Sequence, residues 1–237
     1  MSRSNNVTAT NPATRFFEWK GSKGQLKYYD KDKKENVFVD NPFTFLVLDQ
    51  LATVRGWSDE ANSGIWANEV RDLQNEELIV RNKLGVIARG LYSSIKGSGK
   101  GVFTKSIYIA YYDNKKKLQI GNIQASGAFL KAWIQFARGK DLYKGAVVIK
   151  GTETMKKGSN TYSSPVFEVN EKVTEATEQS AKELDKVLQD YLKDYFTVRA
   201  VETELEMEDL SELEIDSSPF AGEFKSPNDD YDDEIPF

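Results

Sequence analysis

Residues Val102 to Asp113 read VFTKSIYIAYYD and alternate along their whole length. Successive side chains of a strand point to opposite faces, so Phe103, Lys105, Ile107, Ile109 and Tyr111 share one face, and Thr104, Ser106, Tyr108, Ala110 and Tyr112 share the other. The first face is apolar enough to line a core. The second sets two tyrosines two turns of the pleat apart, an arrangement that suits stacking against flat rings. Asp113 to Lys117, DNKKK, has the composition of a turn and joins this strand to a second one, Leu118 to Ile123, as a hairpin.

Upstream, Val37 to Trp57 is rich in β-branched and aromatic residues but is interrupted by Pro42, which makes Phe43 to Trp57 one long, bent strand. Strict alternation puts Leu46, Leu48, Ala52 and Val54 on one face and Phe45, Val47, Arg55 and Trp57 on the other. The Arg55 and Trp57 end of that second face pairs a cation with a large ring and is a candidate stacking site. Ser58 to Gly64 reads as a turn, Ile65 to Asp72 as a strand with Trp66 on one face, and Glu76 to Asn82 as another strand. Leu84 to Ile95 fits a short helix or a strand equally well. Lys96 to Gly101, KGSGKG, is a cationic glycine-rich loop. It lacks the Walker pattern, since Ser94 stands where a glycine is needed and Gly101 where Ser or Thr is needed. Its reading is a flap whose Lys96 and Lys100 reach a nucleic-acid strand.

Downstream, Ser126 to Arg138 has helical spacing, with Phe129, Trp133, Phe136 and Ala137 on one stripe and Gly139 past the end. Trp133 on that stripe belongs to the core. Ala146 to Met155 and Thr161 to Val169 form a long hairpin whose turn carries Lys156 and Lys157. Residues 173–196 turn helical, and beyond residue 201 apolar periodicity fades. At the other end, residues 1–14 read as a disordered polar arm, followed by Arg15 to Tyr29, where aromatics interleave with cations. Phe16, Phe17 and Trp19 in that stretch fit base stacking and packing onto the body equally well.

Composition narrows the chemistry. The 237 residues include neither Cys nor His, which excludes disulfides, Cys or His zinc sites and imidazole- or thiolate-based catalysis. No run reaches membrane-spanning length and Met1 to Asn11 is polar, so a cytoplasmic protein is expected. The net charge of −5 conceals a division. Residues 202–237 hold 14 acidic side chains and one basic one, Lys225, a net of −13, while residues 1–201 hold 31 Lys and Arg against 23 Asp and Glu, a net of +8. A basic body with an acidic tail points to a polyanionic partner.

The chain ends Asp229, Asp230, Tyr231, Asp232, Asp233, Glu234, Ile235, Pro236, Phe237. This acidic run with an apolar hook on the terminal carboxylate resembles the C-terminal tip of bacterial and phage single-stranded DNA-binding proteins. Glu234 departs from the commoner Asp but keeps the charge. The resemblance covers six to nine residues and implies a tip, residues 229–237, that docks on replication, recombination and repair proteins such as a polymerase, helicase, primase or nuclease. The Phe237 ring would enter an apolar pocket and the carboxylates a cationic rim. Joined to the strand pattern, it implies a mainly β, α+β chain. Residues 15–201 would form a five-stranded antiparallel barrel of the oligonucleotide-binding (OB-fold) type with a C-terminal helix, and 202–237 a disordered tail. Greater length and the helix before the tail make phage-encoded members the better comparison.

Function follows as an expectation: protection of single-stranded DNA without strong sequence preference, with Arg55, Trp57, Trp66, Lys96, Lys100, Lys105, Tyr108, Tyr112, Lys156 and Lys157 as candidate contacts. The alternative is a strand-annealing or recombination-mediator protein with the same tail. An enzyme is not expected. Asp40, Asp49, Glu69 and Asp72 could hold magnesium, yet they show no diagnostic spacing, and neither metal nor cofactor is called for.

Overall fold

The computed structural model describes residues 10–97, 99–170 and 172–211, with side chains through residue 198. The chain divides into two units, Met1–Tyr195 and Phe196–Phe237. Its elements run β1 Arg15–Lys20, β2 Gln25–Asp30, β3 Glu35–Val39, β4 Phe43–Ser58, β5 Ser63–Ala67, β6 Leu78–Asn82, β7 Gly85–Gly90, α1 Tyr92–Ile95, β8 Val102–Tyr112, β9 Leu118–Ala125, α2 Gly127–Ala137, β10 Ala146–Lys157, β11 Asn160–Asn170 and α3 Glu175–Ser211.

The long bent strand is the spine. β4 pairs with β8 from Phe45 to Arg55, while its other edge is shared: Phe43 to Leu46 pair with β10, and Arg55 to Ser58 pair with β5. The strand order is β3-β2-β1-β9-β8-β4-β5-β6-β7, with the β10–β11 hairpin branching from β4. The mainly β architecture with a C-terminal helix is as expected; the five-stranded antiparallel barrel is not. The sheet has eleven strands, is mixed because β1 runs parallel to β9, and does not close. The physical reason lies in residues 15–39. Phe17, Leu26 and Tyr28 alternate inward and are buried, so this stretch becomes three strands added to the edge of β9.

A second difference is local. Val47 faces Ile109 and Asp49 faces Tyr108, so Leu48 is an extra residue, a β-bulge that reverses the parity of β4. Phe43, Phe45, Val47, Ala52 and Val54 therefore lie on one face and feed the core, against the expected grouping of Ala52 and Val54 with Leu46 and Leu48.

The main core is aromatic. Phe17, Phe43, Phe45, Tyr111, Phe129, Trp133 and Phe167 contact one another with ring centroids 5.1 to 6.2 Å apart in most pairs. Each such ring contributes about 1.5–3 kcal/mol by burial, and well-oriented pairs add about 0.5–1.5 kcal/mol. Gly121 makes this packing fit, since a Cβ there would stand 2.9 Å from both the Phe17 and Tyr111 rings. α2 caps this core with Phe129, Leu130 and Trp133 and gives way at Gly139, whose φ is +69°. The Trp133 indole N–H donates to Gln50 Oε1 at 3.0 Å. A smaller core, Ala52, Val54, Ile65, Ala67, Val70, Leu78, Val80 and Tyr92, sits beneath β5–β7.

α3 extends well past the expected end near residue 196. Glu, Leu and Met after residue 201 are good helix formers even where an apolar stripe is lost. Its first part lies along β8: Thr177 Oγ1 bonds the Tyr112 hydroxyl at 2.9 Å, and the Tyr195 hydroxyl accepts the Glu69 N–H at 2.8 Å. Ala181, Leu188 and Leu192 are buried beneath it.

Candidate nucleic-acid interface

The face of the sheet opposite the core is open at one end. Arg55 of β4 lies between Val102 of β8 and Trp66 of β5, and Trp66 lies beside Arg81 of β6, which faces Val86 of β7. Directly opposed residues share a face, so Val102, Arg55, Trp66, Arg81 and Val86 form one transverse row. Trp57 sits two residues beyond Arg55 on the same face, opposite Gly64, which offers its indole no neighbouring side chain. Trp57 is 61% exposed and Trp66 41% exposed, and Val86 and Val102 are open as well. Lys83, at the β6–β7 turn, joins this end through its N–H, donated to Ser63 Oγ at 3.3 Å. Among the described residues no carboxylate forms an ion pair with Arg55, Arg81 or Lys83. The row can stack rings on flat ligands and hold anionic groups with guanidinium forks.

The Lys96–Gly101 loop abuts this end. A Cβ on Gly56 would lie 2.9 Å from the Gly101 Cα, and one on Gly101 would lie 2.7 Å from Val54. Gly101 thus serves close packing of the end of the loop on β4, whereas Gly97 and Gly99 stand in open space at φ +77° and +70°, and Lys96 and Lys100 are exposed just before Val102.

Farther along the same face the chemistry changes. Tyr108, expected to be a stacking ring, is fully buried. Its hydroxyl donates to Glu69 Oε2 at 2.7 Å and accepts from Asn11 Nδ2 at 3.0 Å. Ser106 donates to the other Glu69 oxygen and accepts from Asn122, which in turn accepts from Gln124. Burial pushes both the Glu69 carboxyl and the Tyr108 hydroxyl up, and it raises Tyr191 on α3 to about 12. Tyr112 is half exposed at the far end of β8, tied to Thr177, so the two tyrosines do not make a platform.

The other candidates disperse. Lys105 lies on the core face, between Ala52 and Ala125 in register, and desolvation lowers its pKa. Lys156 and Lys157 stand at the tip of the β10–β11 hairpin. β10 leaves β4 at Phe43, fourteen residues from Trp57, which is about 45 Å of strand. They are therefore at the opposite end of β4 from the tryptophans. The hairpin leans on the β1–β2 turn, where the Trp19 indole donates to Ser163 O at 2.9 Å and Ser163 N to Gly21 O at 2.9 Å. Of the first aromatic stretch, Phe17 is core and Phe16 remains 42% exposed. Asp229, Asp230, Asp232, Asp233, Glu234, Ile235, Pro236 and Phe237 lie outside the described residues.

The four acids weighed as magnesium ligands are each engaged within the protein. Asp49 pairs with Arg71 at 2.9 Å, Glu69 holds Ser106 and Tyr108, Asp40 accepts from Gln25, and Asp72 caps its own loop. Among the described residues no group of three or more metal-binding side chains is placed to hold an ion.

Of the sequence candidates, Arg55, Trp57 and Trp66 come together here, and Arg81 and Lys83, which were not among the candidates, join them. The signal was available: counting alternation through Glu76 to Asn82 puts Arg81 level with Trp66 once the β5–β6 register is known.

Set against known proteins, the chain matches no protein-family model, no curated protein and no solved structure. Among the described residues no helix is long and apolar enough to cross a membrane.

Proposed function

We propose that this chain binds single-stranded DNA with little sequence preference and recruits replication, recombination and repair proteins through its acidic C-terminal tip. The observation that carries the reading is the row Arg55–Trp66–Arg81 with Trp57 beside it, two open indoles set among cations that have no ion-pair partner among the described residues. Rings stack on bases of any identity, at about 1–3 kcal/mol per base, and guanidinium groups follow the backbone. The basic body supports an anionic ligand, and the terminal DDEIPF supports the recruiting role. The reading makes the protein a cytoplasmic binding protein rather than an enzyme.

The test is competition in solution. A labelled oligothymidylate bound by the full chain should be displaced by unlabelled single strands of differing sequence and not by duplex of equal length. Displacement by duplex at equal concentration, or loss of the oligonucleotide itself on adding magnesium, contradicts the reading.

A further inference from the structure

We propose that Tyr195 is a positioning residue that locks the register of β5 and so keeps Trp66 on the open face, an inference that rests on the reading of that face as the single-strand site. β5 pairs with β4 in an unbroken ladder from Ser58–Ser63 to Arg55–Trp66. Continued without interruption, that ladder would bring Ala52 opposite Glu69. Ala52 instead bridges Val70, with both backbone bonds at 2.8 Å. One extra residue is therefore accommodated between Ala67 and Val70, a bulge on the β5 side.

A bulge takes backbone groups out of the ladder, and each must find another partner. Asn68 spans the gap to β6, its Nδ2 donating to Glu77 O at 3.0 Å and its Oδ1 accepting from the Ile79 N–H. Thr53 Oγ1 donates to Ala67 O at 3.0 Å. The Glu69 N–H donates to the Tyr195 hydroxyl at 2.8 Å, and Glu69 is buried. Two residues on, Arg71 forks onto Asp49 at 3.2 and 2.9 Å, and Gln189 of α3 donates to the same carboxylate at 3.1 Å. α3 thus meets two of the irregularities of the sheet, Gln189 near the Leu48 bulge and Tyr195 at the Glu69 bulge.

The Glu69 N–H to Tyr195 hydroxyl bond belongs to the bulged register, so removing that hydroxyl lowers the preference for this register over one in which β5 is slipped by one residue. Because strand side chains alternate with period two, that slip turns Trp66 inward and Ala67 outward.

The experiment is a double-mutant cycle in the full-length chain, with labelled oligothymidylate as the probe. Y195F should weaken binding about tenfold, in line with one orphaned buried donor. W66A should weaken it comparably. In the W66A background Y195F should weaken it no further. Losses that multiply across the two variants would show Tyr195 acting through overall stability and would overturn the proposal, as would unchanged binding by Y195F. If the wild-type chain does not bind the probe, the reading of the face fails, and hydrogen exchange then decides the register claim. Amides of Ile65 to Ala67 should exchange about tenfold faster in Y195F while those of Ile107 to Ile109 keep their rates. Equal protection of β5 in Y195F and wild type overturns it.

Discussion

One face of β4 and β8 carries two regions of similar composition and opposite fate. At its open end Arg55, Trp57 and Trp66 face outward with half or more of each indole available or nearly so, while a few residues along the same strands Ser106, Tyr108 and Glu69 are sealed beneath α3. Both regions set an aromatic ring near a charge. What separates them is cover: α3 desolvates the second region, so each polar group there must be matched within the protein, whereas the first leaves its groups open to solvent. An aromatic residue on a solvent-facing parity is therefore a binding candidate only when the element packed over it is known.

The largest effect that would break this contrast is on affinity. W57A and W66A together should weaken single-strand binding by about 2–6 kcal/mol, one stacked base for each ring, while leaving the melting temperature nearly unchanged. Y108F should show the reverse pattern. It removes a donor to the buried Glu69 carboxyl and should cost about 1–3 kcal/mol of stability in chemical denaturation, with oligonucleotide affinity preserved. If Y108F instead weakened binding as much as W66A, the two regions would be one site.

The covered region should also carry a pH signature that the open one lacks. Burial raises the Glu69 pKa above its ordinary 4.5. A raised folded-state value means that the folded chain holds this proton more tightly than the unfolded chain does. The resulting stability is complete below 4.5 and is lost as pH rises through the folded value. Melting temperatures of wild type and E69Q, followed from acid toward neutral pH, should therefore diverge, with the wild type falling relative to the variant. A constant difference would mean that Glu69 binds its proton equally tightly in the folded and unfolded chains. The smallest effects belong to single cations at the open end. R55A and R81A should each reduce the slope of log affinity against log salt by about 0.7, the increment for one single-strand phosphate.

How much of this was legible in the sequence depended on where the chain keeps its period. The β8–β9 hairpin, α2 and the β10–β11 hairpin follow from clean alternation, helical spacing and turn composition, and all three stand where expected. The bulges at Leu48 and Glu69 did not announce themselves. The Leu48 bulge reversed the faces of Ala52 and Val54, because one inserted residue shifts every later side chain by one position. Tyr108 was misplaced for a different reason: alternation gives its face correctly, but nothing local says that α3 returns from more than 60 residues away to cover it. Residues 15–39 were harder to read, because Arg15 to Tyr29 interleaves aromatics with cations and Phe16, Phe17 and Trp19 fit base stacking and packing onto the body equally well. Their three strands appear only when Phe17, Leu26 and Tyr28 are seen to join the core formed by β4, β8 and β9. Of the candidate site, Arg55, Trp57 and Trp66 survive as a group, whereas Lys105 and the hairpin lysines, chosen for charge alone, do not join it.

The most direct measurement is tryptophan fluorescence during titration with single-stranded and duplex oligonucleotides at two salt concentrations. The four tryptophans differ sharply in setting: Trp57 and Trp66 are open, Trp133 is buried, and Trp19 is held against Ser163. Single strands should quench the emission, duplex of equal length should not, and added salt should reverse the effect. W57F and W66F together should remove the quench while W19F retains it. Quenching that persists in the W57F/W66F chain, or none with any single strand, would contradict the assignment of the open end of the β4–β5–β6 face as the binding site.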